Sequence, residues 1–134
     1  MKRLVELERL LGKYLSVPEP PRKRLSKKDI AAMVAEGFLE YLVDLVDTQE
    51  TPDAGKLLEE FRGMSDEQLA EEALSTLEKL LVENHPRGQY IFRFLRNRAP
   101  ERLGRAYAIL RLFQDASWIL EDLEEDYQYY RRNS

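Results

Sequence analysis

Ser65-Asp66-Glu67-Gln68-Leu69 opens the stretch that decides the fold, residues 65–83, SDEQLAEEALSTLEKLLVE. A hydroxyl at the first position and an amide three residues later can each satisfy the other's backbone N–H, the reciprocal arrangement that starts helices. Leu69, Ala73, Leu77 and Leu80 follow at spacings of four, four and three. That periodicity lines one face of an α-helix and predicts an amphipathic helix running to about Glu83.

Helices extend outward from this one on both sides. Upstream, Leu57, Leu58 and Phe61 predict a short helix over about Ala54–Arg62, ended by Gly63. A loop over 48–54, TQETPDA, separates it from a longer helix that starts at Ser26 or Lys27. Asp29 lies in that helix's first turn, where negative charge meets the positive end of the dipole. Its predicted buried stripe is Ile30, Val34, Phe38 (or Gly37), Tyr41 and Leu45, with Glu36, Glu40, Asp44 and Asp47 on the opposite face. Gly37 weakens a helix by about 1 kcal/mol relative to alanine, so a close approach by a neighbouring helix is its expected purpose. Leu4, Leu7, Leu11 and Tyr14 predict an amphipathic first helix over about Lys2–Leu15. Pro18, Pro20 and Pro21 forbid its continuation through the basic connector of residues 16–25.

Downstream, Asn84-His85-Pro86-Arg87-Gly88 is a break. Residues 89–98 read as a helix with Tyr90, Ile91, Phe94 and Leu95 inward. Pro100 suits the first turn of a last helix predicted to reach about Tyr129. Its middle, Ala106 to Phe113, is apolar on nearly every side, which places it centrally. Beyond Trp118 the stripe narrows to Ile119, Leu120, Leu123 and Tyr127. No strand-like alternation or internal repeat occurs. The expected fold is all-α: one domain over 1–134, comprising an N-terminal helix (1–15), a connector (16–25) and a bundle (26–134). That reading makes five or six helices with a long, central C-terminal helix.

Composition removes whole classes of function. The chain has 134 residues, no cysteine and one histidine, which excludes disulfide scaffolds, thiolate metal sites and cysteine catalysis. Hydrophobic residues are 43% and charged residues 34%, too apolar for a disordered chain. No run of 18 apolar residues exists, and the N-terminus MKRLVELERLL lacks an apolar signal core, so the expected location is cytoplasmic.

The net charge of −4 is unevenly spread. Residues 1–28 carry a net of +6, residues 29–83 a net of −12, residues 84–111 a net of +6 and residues 112–134 a net of −4. Blocks of alternating sign attract one another within a fold or across an interface. The cations of 84–111 are all arginine, the residue suited to bidentate pairing with carboxylate or phosphate.

No motif carries a specific chemistry. Di-iron bundles need Glu-x-x-His pairs, whereas His85 lies in a proline-glycine break and Glu36 and Glu40 share an acidic, solvated face. No Gly-x-Ser-x-Gly elbow and no phosphate-cradling glycine loop occur. A helix-turn-helix centred on Gly37 fails because its recognition helix would carry acids and repel phosphate. Pro18-Glu19-Pro20-Pro21 has polyproline spacing but reads as a linker. Tyr90 to Arg98 interleaves aromatics with arginines, as single-stranded RNA sites do. Helical geometry separates the two residue types, however, and favours aromatics inward with arginines facing acids.

The sequence therefore points to a non-catalytic interaction or assembly protein that self-associates or binds a protein partner. Leu4, Leu7, Leu11 and Tyr14 are its candidate partner-binding residues. The alternative is a nucleic-acid-binding subunit of a ribonucleoprotein complex that uses Arg93, Arg96, Arg98, Arg102 and Arg105. An enzyme built on clustered carboxylates is a weaker third reading. No cofactor, metal, membrane partner or small-molecule substrate is expected. These arginines are expected to engage mainly carboxylates of this protein or of its protein partner, the nearest supply being residues 29–83.

Overall fold

A computed structural model describes residues 24–48, 52–113 and 117–133. They form α1 (Lys27–Thr48), α2 (Pro52–Phe61), α3 (Asp66–Asn84), α4 (Gly88–Arg98), α5 (Pro100–Leu112) and α6 (Ser117–Arg132), with no strand among the described residues. The protein is an all-α bundle. No helix of the described residues is long and apolar enough to cross a membrane. The proposed first helix and connector, with Leu4, Leu7, Leu11 and Tyr14, lie outside the described residues.

Local chemistry sets the helix ends. Ser65 caps α3 as expected: its hydroxyl accepts from the Gln68 N–H at 3.1 Å, and the Gln68 side chain accepts from the Ser65 N–H at 3.1 Å. Ser26 does the same for α1, with Asp29 as its reciprocal partner at 3.0 and 3.4 Å. His85 closes α3 in an extended conformation. Gly88 then lets the chain turn hard against α3, since a Cβ there would sit 1.9 Å from the Leu81 carbonyl oxygen. Pro100 occupies the first turn of α5.

The long C-terminal helix is corrected. The helix from Pro100 ends at Leu112, and Phe113 is extended (φ −122°, ψ 142°). In one continuous helix Arg102 and Asp126 would stand roughly 36 Å apart at about 1.5 Å per residue. In the fold they touch at 2.7 Å. The reversal lays α6 antiparallel on α5, burying Ile119, Leu123 and Tyr127 and bringing its acids to arginines. Only α5, 13 residues long, is central; it packs on each of the other five helices.

The closest packing is α1 on α5. A Cβ on Gly37 would lie 2.0 Å from the Glu101 carbonyl oxygen, and one on Gly104 would lie 1.9 Å from the Val34 carbonyl oxygen. Two backbones therefore meet without side chains between them. Residue 34 faces 104 and residue 37 faces 101, so the helices are antiparallel, and the start of α1 shares an end of the bundle with the close of α5. Phe38, Phe61 and Tyr107 fill the layer beside this crossing, with ring centroids 5.0 to 6.4 Å apart.

The buried faces differ from the sequence pattern by about one helical step in places. In α1 the buried residues are Ala31, Val34, Ala35, Gly37, Phe38 and Leu42, while Ile30, Tyr41 and Leu45 are only partly covered. In α3, Leu81 is buried and Leu80 partly so. In α4, Phe92 joins Ile91 and Leu95 inside, and Tyr90 is 56% exposed. The α4 face covered by α3 and α5 runs through 91, 92 and 95, which turns Tyr90 and Phe94 toward α6.

Candidate functional site

The five arginines of the nucleic-acid reading do not form one patch. Arg102 donates to Asp126 and Arg105 to Asp122, each at 2.7 Å, in the seam between α5 and α6. The bond to Asp126 raises the Arg102 pKa above its already high ordinary value. Arg105 also lies over the Tyr41 ring, 5.4 Å from its centroid. Arg96 covers Phe92, with its Nε buried and without a hydrogen-bond partner among the described residues. Arg98 sits over Tyr130 and reaches the Asn133 carbonyl at 3.5 Å. Arg93 is exposed.

Of the carboxylates of residues 29–83, Glu60 and Glu72 reach Arg111, at 2.9 Å and 3.6 Å. Arg102 and Arg105 take theirs from α6 instead, because the hairpin of α5 and α6 brings residues distant along the chain side by side. Tyr107 completes the Arg111 cluster, donating to Glu72 and accepting from Arg111 at 3.2 Å. Burial, reinforced by the bond to Glu72, pushes the Tyr107 pKa up to about 12.

A groove of about 230 Å³ opens where α1 crosses α5, lined by Gly37, Glu40, Tyr41, Asp44, Glu101, Arg102 and Arg105. It is the natural place for carboxylate chemistry. Both of its cations are already committed to Asp126 and Asp122. Glu36 and Glu40 lie on the exposed face of α1, and among the described residues no group of three His, Asp or Glu side chains is placed to hold one metal ion. His85 is engaged elsewhere. Its Nδ1 accepts from the Arg87 N–H at 3.0 Å, which puts the ring proton on Nε2, 2.6 Å from Glu124. That bond holds the Glu124 carboxyl below its usual pKa. Sequence spacing gave no sign of this pair, since its members are 39 residues apart.

Two apolar rings stand out at the end of the bundle. Phe113 and Trp118 are 37% and 40% exposed, with ring centroids 6.2 Å apart. They stand at the close of α5 and the start of α6, at the end where α1 begins. Trp118, Glu121 and Glu125 share an exposed face of α6.

No family model, curated protein or solved structure matches this chain.

Proposed function

We propose that the protein is a non-catalytic helical assembly module that associates with a second copy of itself. The tip formed by Phe113 and Trp118 receives the stripe of Leu4, Leu7, Leu11 and Tyr14 from the other copy. The exposed ring pair at the end where α1 begins is the observation that carries this reading. Covering the two rings removes about 150 Å² from water, worth roughly 4 kcal/mol. Alone that corresponds to millimolar affinity, so the leucines must contribute as much again. Charge supports the match: Lys2, Arg3, Arg9 and Lys13 outnumber Glu6 and Glu8 around the stripe, and Glu121 and Glu125 flank Trp118. The proline-rich connector gives the stripe the reach to leave its own bundle.

Light scattering on the full chain at about 50 µM, within the range where weak pairs assemble, tests the reading. The expected result is a dimer that Trp118→Glu and Leu7→Glu/Leu11→Glu each convert to monomer. A wild-type monomer whose Trp118 is shielded from quencher would place the stripe on its own bundle and end the self-assembly reading. A dimer indifferent to Trp118→Glu would put the interface elsewhere.

A further inference from the structure

We infer that the exposed seam between α4 and α6 binds single-stranded nucleic acid, with arginines holding phosphates and Tyr90 stacking on a base. The two helices run parallel: Tyr90 and Phe94 meet Tyr127, while Arg98 meets Tyr130 and Asn133 further along both. Two guanidinium groups converge on one buried phenol. Arg87 lies 5.7 Å from the Tyr127 centroid and donates to its hydroxyl at 3.0 Å, and Arg131 covers the same ring at 6.0 Å. Arg87 also lies 5.7 Å from the centroid of Tyr90. Arg93, one turn beyond Tyr90 on the solvent side, adds a third exposed cation.

Elsewhere in this molecule the arginines of α5 have carboxylate partners. Here, among the described residues, none of Arg87, Arg93 and Arg131 has a carboxylate oxygen within 4.0 Å. Glu124, whose carboxylate also acts on Arg87, is hydrogen-bonded to His85. Exposed guanidinium groups that make no ion pair of their own among the described residues can take a further anion. The neighbouring exposed ring selects which anion: every base has a π-face to lay on tyrosine, whereas a carboxylate or a free phosphate has none. A duplex keeps its base faces inside the stack, so the same ring selects single strands. Of the five arginines that the sequence groups together this site keeps Arg93, and it adds Arg87 and Arg131, because the seam joins α4 to the far end of the chain.

The test is fluorescence anisotropy of a labelled 20-nucleotide single-stranded RNA, its DNA equivalent and the RNA duplex. Full-length protein is titrated at about 50 and 200 mM salt, where phosphate contacts register. Micromolar or tighter binding to the single strands is expected, at least about five-fold weaker in Tyr90→Ala, the lower bound for losing one stacked base. Arg93→Glu/Arg131→Glu should abolish binding, and Arg93→Ala should reduce the log–log salt slope by roughly 0.7. Arg62→Glu, an exposed reversal on a different part of the fold, should leave binding unchanged. Circular dichroism melts confirm that each variant is folded; Tyr90→Ala and Arg93→Ala touch exposed positions and carry the test if the double reversal unfolds. No binding at 50 mM salt, equal loss in Arg62→Glu, or a Tyr90→Ala protein that binds as wild type would each overturn the inference. Polyglutamate competing as well as RNA would assign the seam to acidic proteins instead.

Discussion

Gly37 and Gly104 show how one atom decides packing. Added Cβ atoms would lie at 2.0 and 1.9 Å from carbonyl oxygens of the facing helix. Backbone oxygens do not rotate aside, so the helices must separate. Alanine gains about 1 kcal/mol of helix propensity, against an overpacking penalty of about 3 kcal/mol or more. Gly37→Ala and Gly104→Ala should each lower the urea midpoint sharply. Gly55→Ala should raise stability by about 0.5–1 kcal/mol, because that Cβ meets nothing within 4 Å and only the propensity gain remains. Tyr107 supplies a pH prediction. Its folded pKa of about 12 lies above the ordinary 10.0, so the native state holds its proton more tightly than the unfolded chain does. The contribution is complete below pH 10 and is lost as pH rises through 12. Stability measured between these limits should fall less steeply in Tyr107→Phe than in wild type. Sequence alone marked Gly37 as a point of close approach. Gly104 stayed hidden because it sits in an apolar helix where any small residue fits the pattern.

Helix starts were legible and the chain reversal was not. Capping depends on residues three apart, so Ser65 with Gln68 can be read directly from the chain. Ser65→Ala should cost about 1 kcal/mol in chemical denaturation. The end of α5 carries no such mark: neither glycine nor proline occurs between Leu112 and Ser117, and apolar residues on both sides continue a helical pattern. Pairing across the hairpin stabilises the reversed arrangement through Arg102 with Asp126 and Arg105 with Asp122. Arg102→Glu/Arg105→Glu should destabilise by about 2–4 kcal/mol, because it places like charges in a half-buried seam. Adding Asp122→Arg/Asp126→Arg should restore part of the loss, and thermal melts of the three proteins would show it. The same long-range geometry explains the candidate sites. The arginines of α4 could be read in sequence as a basic run, but Arg131 joins them only through folding.

At the scale of the molecule, the charges of the described residues settle into a division of labour. Acids of α6 neutralise Arg102 and Arg105 of α5, and acids of α2 and α3 neutralise Arg111 of the same helix. The exposed acids of α1 and Arg87, Arg93 and Arg131 remain turned to solvent. All six described helices contribute to one core, so unfolding should be a single event. Far-UV circular dichroism and Trp118 fluorescence should trace superimposable denaturation curves. A fluorescence transition that precedes the loss of helix would mean that the end of the bundle loosens on its own. The glycine crossing bears finally on descent. Contact between bare backbones cannot be rebuilt by exchanging one side chain for another, whereas the surrounding core can trade volume among neighbours generation after generation. In a lineage built on this fold, positions 37 and 104 would change last, and distant cousins would be known by two small residues long after their leucines had drifted apart.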